Sequence, residues 1–170
     1  MIRQETIDRV IAYVKKFPDI DPEIVRKGLI IFHLHREIEM LAGTYVAKRY
    51  GLSVRQLETL EALFHKQDKS LTPAQLAEEI HLTRSAMTSN LDSLQKKGYL
   101  SRTAHPNDRR RLIISLTQKG LEFCDTIMPE RYRDMRRVME FLSSEMRDTL
   151  HIIYNKLIEN IEKMLMEVSN

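Results

Sequence analysis

Residues 107–120, NDRRRLIISLTQKG, decide the fold of this 170-residue chain. Pro106 and Asn107 favour a tight reversal, and a charged run follows directly. The five residues 112–116 are apolar or β-branched apart from one serine, which predicts a half-buried strand, and Thr117 can cap a following helix. The segment therefore predicts a β-hairpin whose tip carries three guanidinium groups into solvent: Arg109, Arg110 and Arg111.

Two short helices are predicted immediately upstream, in LTPAQLAEEIHLTRSAMTSNLDSLQKKGYLSR, residues 71–102. Thr72 caps the first helix and Thr83 caps the second. The second helix has one apolar stripe at i, i+4 and i+7, formed by Met87, Leu91 and Leu94. Its outward face near the start consists of Arg84, Ser85, Thr88 and Ser89. Such a face suits a helix that enters the DNA major groove, although each basic or polar surface taken alone is usually just solvated.

Helix, turn, helix and basic hairpin in this order resemble the winged helix-turn-helix of MarR-type regulators, a family named for multiple antibiotic resistance. The family's wing signature is an Asp, one residue, an Arg, a strand and then Leu-Thr-x-x-Gly. Asp108, Arg110, the pair 116–117 and Gly120 occupy those places at the usual spacing. The resemblance extends from about residue 28 to the C-terminus and is most specific in the middle third of the chain.

This resemblance implies a mainly α fold with a small β-hairpin wing and helical extensions that dimerise. It implies that Arg110 enters the minor groove, that Asp108 braces the wing and that the 84–89 face reads bases. Arg109 and Arg111 lie outside the motif, so their predicted DNA contact rests on charge alone. The implied function is a cytoplasmic, homodimeric transcriptional regulator that binds a pseudo-palindromic DNA operator, most simply a repressor released by a small molecule.

The charge distribution agrees with a nucleic-acid partner. Residues 84–119 contain eight Lys and Arg against two Asp and carry +6, whereas the whole chain carries +3, so the remainder carries −3. A basic balance confined to one segment is typical of a nucleic-acid footprint. One cysteine excludes an internal disulfide framework and fits a reducing cytoplasm, and the chain contains no apolar run long enough for a signal peptide or a membrane span.

Amphipathic helices flank the predicted lobe on both sides. A helix over about residues 3–16 precedes a second one, which starts after Asp21 and ends at Gly51, and Ser53 with a glutamine three residues on opens a third. The second helix has an apolar stripe of Ile31, Leu34, Ile38, Leu41 and Tyr45. The first helix lies outside the usual family core, and we expect it to clasp a dimer.

The C-terminal part is predicted to be helical after Thr117, with a kink or a break at Pro129 and a last helix capped by Ser143. The stripe of that last helix comprises Leu150, Ile153, Leu157, Ile161, Met164 and Val168. Such a helix needs a partner surface, which is either the chain's own long helix or a second copy; we expect a dimer. The predicted segments are 1–50 for dimerisation and effector contact, 51–118 for DNA binding, and 119–170 for dimerisation.

Other chemistries find weaker support in the sequence. The i, i+4 pairs His33/Glu37 and His35/Glu39 could ligate a divalent metal in a metal-sensing regulator, but such pairs are common on ordinary helices. Cys124 has the helical spacing of core positions, so a redox-sensing role is disfavoured. No metal or other cofactor is expected. Motifs of phosphate loops, nucleophile elbows and zinc peptidases are absent, so we do not expect an enzyme. A winged helix used only for protein–protein assembly is the remaining alternative.

An effector site is implied by the resemblance, between the dimerisation helices and the DNA-binding lobe. That zone includes His35 and Arg36, which could receive an anion, and Met40 and Tyr45, which could flank an aromatic ring. All four residues have an equally simple structural interpretation. The resemblance implies a small aromatic or anionic ligand, and the sequence does not identify it.

Overall fold

A computed structural model describes residues 4–105 and 108–169, without the side chains of residues 105 and 108–110. The chain divides into two compact units, Met1–Leu121 and Glu122–Asn170, with the boundary inside the sixth helix. The elements in chain order are α1 Gln4–Val14, α2 Pro22–Tyr50, α3 Val54–His65, β1 Ser70–Leu71, α4 Pro73–Glu79, α5 Arg84–Lys96, β2 Leu100–His105, β3 Asp108–Leu116, α6 Gln118–Met139 and α7 Ser144–Val168. The predicted mainly α architecture with a small sheet is confirmed.

The helices of the first unit begin where capping residues predict them. The Asp21 carboxylate accepts a hydrogen bond of 2.8 Å from the Glu23 N–H, which has no partner within α2. Ser53 and Thr72 form capping boxes with the glutamines three residues on, so each box satisfies N–H groups in both directions. Gly51 ends α2 in the left-handed conformation, φ +66°, a region that glycine enters without steric cost.

The sheet is antiparallel in the order β1-β3-β2. β3 starts at Asp108, four residues before the strand predicted at 112–116, because Asp108 still pairs with β2; the register shifts between Leu112 and Asp108, so the arginine run lies in a bulge. β1 was not predicted, since two residues show no periodicity; it pairs Ser70 with Ser115 and Leu71 with Ile114. The predicted reversal at Pro106–Asn107 lies outside the described residues.

The core of the first unit forms beneath α5. Apolar residues of α3, α4, α5 and β3 are almost fully buried: Leu57, Leu60, Leu63, Leu76, Met87, Leu91, Leu94 and Ile114. The predicted apolar stripe of α5 is thus confirmed. Ile7, Ile11 and Val14 are buried on α1, which contacts α2 and carries an ion pair from Asp8 to Arg26 at 3.2 Å. Much of the apolar face of this extra helix is therefore already buried in its own unit.

The second unit consists of the remainder of α6 and of α7. α6 is continuous through Pro129, so of the kink or break predicted there the break is wrong and the kink stays a prediction. A proline removes one N–H from the ladder, and the helical stretches on both sides are long enough to absorb that loss. Ser143 caps α7 as predicted, with its hydroxyl accepting the Met146 N–H at 3.1 Å. Among the described residues, no helix is both long and apolar enough to cross a membrane.

The wing is held at its base by the first turn of α6. The Thr117 hydroxyl donates to the Gly98 carbonyl at 2.7 Å and accepts the Gly120 N–H at 3.0 Å, which confirms Thr117 as the helix cap. The Thr117 N–H donates to the Tyr99 carbonyl at 3.0 Å. A Cβ on Gly120 would lie 2.2 Å from that same carbonyl oxygen, so only glycine permits this approach. A steric requirement therefore explains the glycine of the Leu-Thr-x-x-Gly motif.

Gly120→Ala should lower the free energy of unfolding by about 1–3 kcal/mol, because the backbone must move away from Tyr99. Chemical denaturation of wild type and variant measures this difference. Gly43→Ala is the matched control: a Cβ at Gly43 meets nothing within 4 Å, and alanine is the better helix former by about 1 kcal/mol. The steric explanation fails if the two substitutions shift stability in the same direction.

Candidate nucleic-acid interface

The turn between α4 and α5 fixes the angle at which α5 leaves the core. His81 has φ +52°, a left-handed conformation that is uncommon for non-glycine residues. The Leu82 N–H returns to the Ala77 carbonyl at 2.8 Å and closes the turn. The Thr83 hydroxyl then accepts the Ala86 N–H at 3.3 Å and starts α5. Local hydrogen bonds therefore orient the helix before its side chains contact any partner.

The outward face of α5 contains the four residues that the sequence singles out. Arg84, Ser85, Thr88 and Ser89 are all exposed. The Thr88 hydroxyl donates to the Arg84 carbonyl at 3.0 Å, which leaves its oxygen lone pairs as acceptors. Ser85 shares a hydrogen bond with the Thr83 hydroxyl at 3.3 Å. The face combines a guanidinium donor with small hydroxyl groups, which hydrogen-bond base edges and phosphates alike.

A concave surface joins α5 to the wing. A cavity of about 360 Å³ is lined by Arg84 and Thr88 of α5, Arg111 of β3 and the N-terminal end of α4. The structure thus brings Arg111, predicted on charge alone, next to residues predicted from the helix face. Two guanidinium groups and a hydroxyl around one concavity suit an anionic partner.

Arg111 also borders a second, more polar depression. This depression includes Lys66 and Asp68 together with Ser70 and Gln75. Hydrogen bonds from the Ser70 hydroxyl and N–H hold the pKa of the Asp68 carboxyl below its usual value. An ionised carboxylate therefore lies on this side of the wing, which makes it less attractive to an anion than the side facing α5.

The tip of the wing is defined in its backbone only. β3 includes Asp108, Arg109 and Arg110, and Asp108 is in register with His105 of β2. The predicted minor-groove contact of Arg110 and the predicted bracing by Asp108 concern side chains outside the described set, so both stay predictions.

Sequence reasoning missed a buried polar cluster behind α5. Asn90 and Thr59 are buried among apolar neighbours, and the Asn90 amide donates to the Thr59 hydroxyl at 2.6 Å. Beside them, the Gln56 amide donates to the Ser93 hydroxyl at 2.7 Å. The available signal was an asparagine on the buried side of the Met87–Leu94 stripe, where a partner for its amide is required.

The predicted effector residues all lie on α2. His35, Arg36, Met40 and Tyr45 are exposed, and His35 faces Glu39 at 3.7 Å between Nε2 and Oε1. Within the described part of the chain, no group of three or more His, Cys, Asp or Glu is arranged to hold a metal ion. Cys124 is fully buried, in agreement with its interpretation as a core residue. The effector pocket stays a prediction.

Comparison with known proteins finds similar proteins of one family. The model of the MarR family matches residues 50–111, the segment from the end of α2 into the wing. The chain is 28% identical over 152 residues to the transcriptional repressor YetL of Bacillus subtilis, spanning 89% of this chain and 90% of YetL. The chain is thus similar to the MarR family, most specifically over residues 50–111. The transcriptional repressor MprA of Escherichia coli is 27% identical over 132 residues, 77% of this chain and 75% of MprA.

Solved MarR-family structures share the fold. A MarR family regulator of Streptomyces coelicolor, Sco3205, crystallised in complex with DNA, superposes with a TM-score of 0.72 at 21% identity, over 82% of this chain and 90% of that one. The MepR–DNA complex of Staphylococcus aureus gives a TM-score of 0.68 at 20% identity, over 78% and 96%. The winged helix-turn-helix predicted from the sequence is confirmed by these likenesses.

Proposed function

We propose that this protein is a homodimeric transcriptional regulator that binds a specific, pseudo-palindromic DNA site and acts as a repressor. The observation that carries the proposal is the concave surface on which Arg84 and Thr88 of α5 meet Arg111 of the wing. These three residues lie within the 84–119 segment, where the net charge of +6 is concentrated. Lys and Arg contacts with phosphate would supply affinity, and the helix face would supply base discrimination.

The relatives support the same assignment. YetL and MprA are named as transcriptional repressors, and Sco3205 and MepR were crystallised with DNA. A winged helix used only for protein–protein assembly is the competing function. It would not need the short hydroxyl side chains and arginine that α5 exposes, and the same DNA-binding experiment distinguishes the two functions.

Exposed apolar stripes support the homodimer. In α2, Ile31, Ile38 and Leu41 are 53–62% exposed. In α7, Ile153 and Ile161 are 48% and 45% exposed, and no described residue of that helix is buried. Apolar stripes this long on a small protein mark an association surface. A second copy is the simplest occupant, because a two-fold dimer matches a palindromic site.

Binding of DNA should be specific and strongly dependent on salt. Two lobes that together neutralise about six to ten phosphates give a steep fall of log affinity with log salt. Arg111→Ala should weaken binding to every duplex and make that slope shallower, whereas Arg84→Ala should mainly change which bases are preferred. Fluorescence anisotropy on a site selected from random DNA, and on a scrambled duplex, measures both effects.

The control for these variants is Arg136→Ala, which removes an exposed arginine of α6 that lies outside the 84–119 segment. It should leave affinity and slope nearly unchanged. A flat salt dependence of the wild type, or equal affinity for both duplexes, contradicts the proposed function.

Ile161→Asp should convert the dimer into a monomer and abolish operator binding, because a carboxylate in an apolar interface is strongly disfavoured. Asn155→Asp adds the same charge on the same helix, about 120° around its axis, and should leave the dimer intact. Sedimentation velocity at micromolar concentration measures the oligomeric state. A wild type that sediments as a 20.0 kDa monomer would refute the dimer.

Release by an effector completes the proposed function. A small aromatic or anionic molecule near Arg36 and Tyr45 would favour a dimer whose lobes are wrongly spaced for the operator. Metal or redox sensing is less supported, since His35 pairs with Glu39 and Cys124 is buried.

The coupling between effector and operator should be about 1–3 kcal/mol, or about 5–150-fold in affinity, and reciprocity requires that DNA weaken effector binding by the same factor. Calorimetry of an aromatic acid such as benzoate, with and without operator, measures that factor. Arg36→Ala should reduce it, while Lys48→Ala near the end of α2 serves as the control. Equal affinities in both titrations mean that the compound is no inducer.

A further inference from the structure

The contact between α3 and α5 contains one polar cluster in an otherwise apolar interface. Its members, which we call the α3–α5 polar seam, are Gln56 and Thr59 of α3 and Asn90 and Ser93 of α5. Asn90 and Ser93 are one helical turn apart and lie on the same side of α5. Asn90 is about 200° around the axis from Thr88, so the seam lies behind the outward face.

Donors and acceptors of the seam bond to one another and to the α3 backbone. The Asn90 amide donates to the Thr59 hydroxyl at 2.6 Å and to the Arg55 carbonyl at 3.4 Å. The Thr59 hydroxyl in turn donates to the same Arg55 carbonyl at 2.8 Å. Thr59 is fully buried and Asn90 is 9% exposed, so water is a poor substitute for these partners.

Gln56 links the seam to the start of α3. Its side-chain oxygen accepts the Ser53 N–H at 3.0 Å as half of the capping box, and its amide nitrogen donates to Ser93 at 2.7 Å. One side chain thus caps α3 and holds α5.

These bonds control geometry in a way that the leucines around them do not. Apolar burial is non-directional and tolerates a small rotation of a helix about its axis. A hydrogen bond weakens steeply when its distance or angle changes, and a buried donor left unpaired is unfavourable. A rotation of about 20° moves a side-chain tip some 6 Å from the axis by about 2 Å, which is enough to break a base contact.

We propose that Asn90 and Thr59 are positioning residues for DNA recognition: their hydrogen bond fixes the rotation of α5 and so aims Arg84, Ser85, Thr88 and Ser89 at the bases. The proposal rests on the proposed function. It predicts that weakening the seam reduces sequence discrimination while phosphate-based affinity is retained.

The test uses an isosteric pair at one position. Thr59→Val removes the hydroxyl and keeps the shape, whereas Thr59→Ser keeps the hydroxyl. The full-length variants are titrated by anisotropy with the wild-type-selected site and with a scrambled duplex, and the ratio of the two Kd values is the readout. Asn90→Leu tests the other partner, and Thr44→Val, which removes a hydroxyl bonded only within α2, is the control.

We expect Thr59→Val and Asn90→Leu to lower the discrimination ratio about 10-fold, equivalent to the loss of one good base contact. Thr59→Ser and Thr44→Val should retain the wild-type ratio. Affinity for the scrambled duplex, and its salt slope, should stay unchanged in all four, because phosphate contacts are less sensitive to the rotation of α5.

A purely structural role gives a different pattern. Loss of folded protein weakens binding to both duplexes equally and leaves their ratio unchanged, and that result for Thr59→Val overturns the proposal. Should Asn90→Leu fail to fold, the Thr59 pair decides alone. A wild type that does not distinguish the two duplexes overturns the proposed function itself, whereas a discriminating wild type with an equally discriminating Thr59→Val overturns only this inference.

Discussion

The burial of one side of α5 against α3 is the interaction on which the remainder of the interface depends. Met87, Leu91 and Leu94 are nearly inaccessible, and burial of such side chains contributes about 1.5–3 kcal/mol each. This stabilisation is independent of the outward face, whose arginine and hydroxyl groups stay in solvent. Because the apolar contacts and the proposed DNA-contact residues lie on opposite sides of one helix, the outward residues can vary at little cost in stability. The polar seam adds what apolar packing lacks, a defined rotation of the helix.

In the wing, too, the residues that stabilise the structure are separate from the basic residues proposed to contact DNA. Two antiparallel strands alone are marginally stable in water, and a charged tip adds nothing to their stability. Here the hairpin is supported at its base, where β1 adds a third strand and where the Thr117 N–H and hydroxyl bind the chain at Tyr99 and Gly98. Gly120 allows α6 to approach closely enough for these bonds to form. The basic residues therefore lie at one end of a strand that is anchored at its other end.

Most of the fold is predictable because its boundaries are encoded locally. Capping boxes at Ser53 and Thr72 and the left-handed Gly51 define helix ends through residues three or four apart. What sequence reasoning missed depends on long-range partners. β1 exists only because Ser115 and Ile114 lie opposite it, and Asn90 is satisfied by Thr59, 31 positions away. The predicted break at Pro129 was wrong for a related reason: a local penalty was weighed without the long helical stretches that offset it. For the candidate site, the α5 face was predicted residue by residue, whereas the proximity of Arg111 to Arg84 required the folded chain.

The free energy that specific DNA binding requires offers an explanation for the exposed apolar stripes of α2 and α7. A single α5 offers few side chains to the bases, and each good contact discriminates by about 1–3 kcal/mol. Specific DNA binding typically requires about 4–10 kcal/mol of preference over non-specific DNA, which one such helix reaches with difficulty. Two copies of the lobe on one duplex double the available contacts, provided that their spacing is fixed. The proposed dimer supplies that spacing through the apolar residues that a lone chain leaves in water. Stability of the dimer and specificity for the operator would then share one cause, and any ligand that changes the spacing would affect both half-sites together.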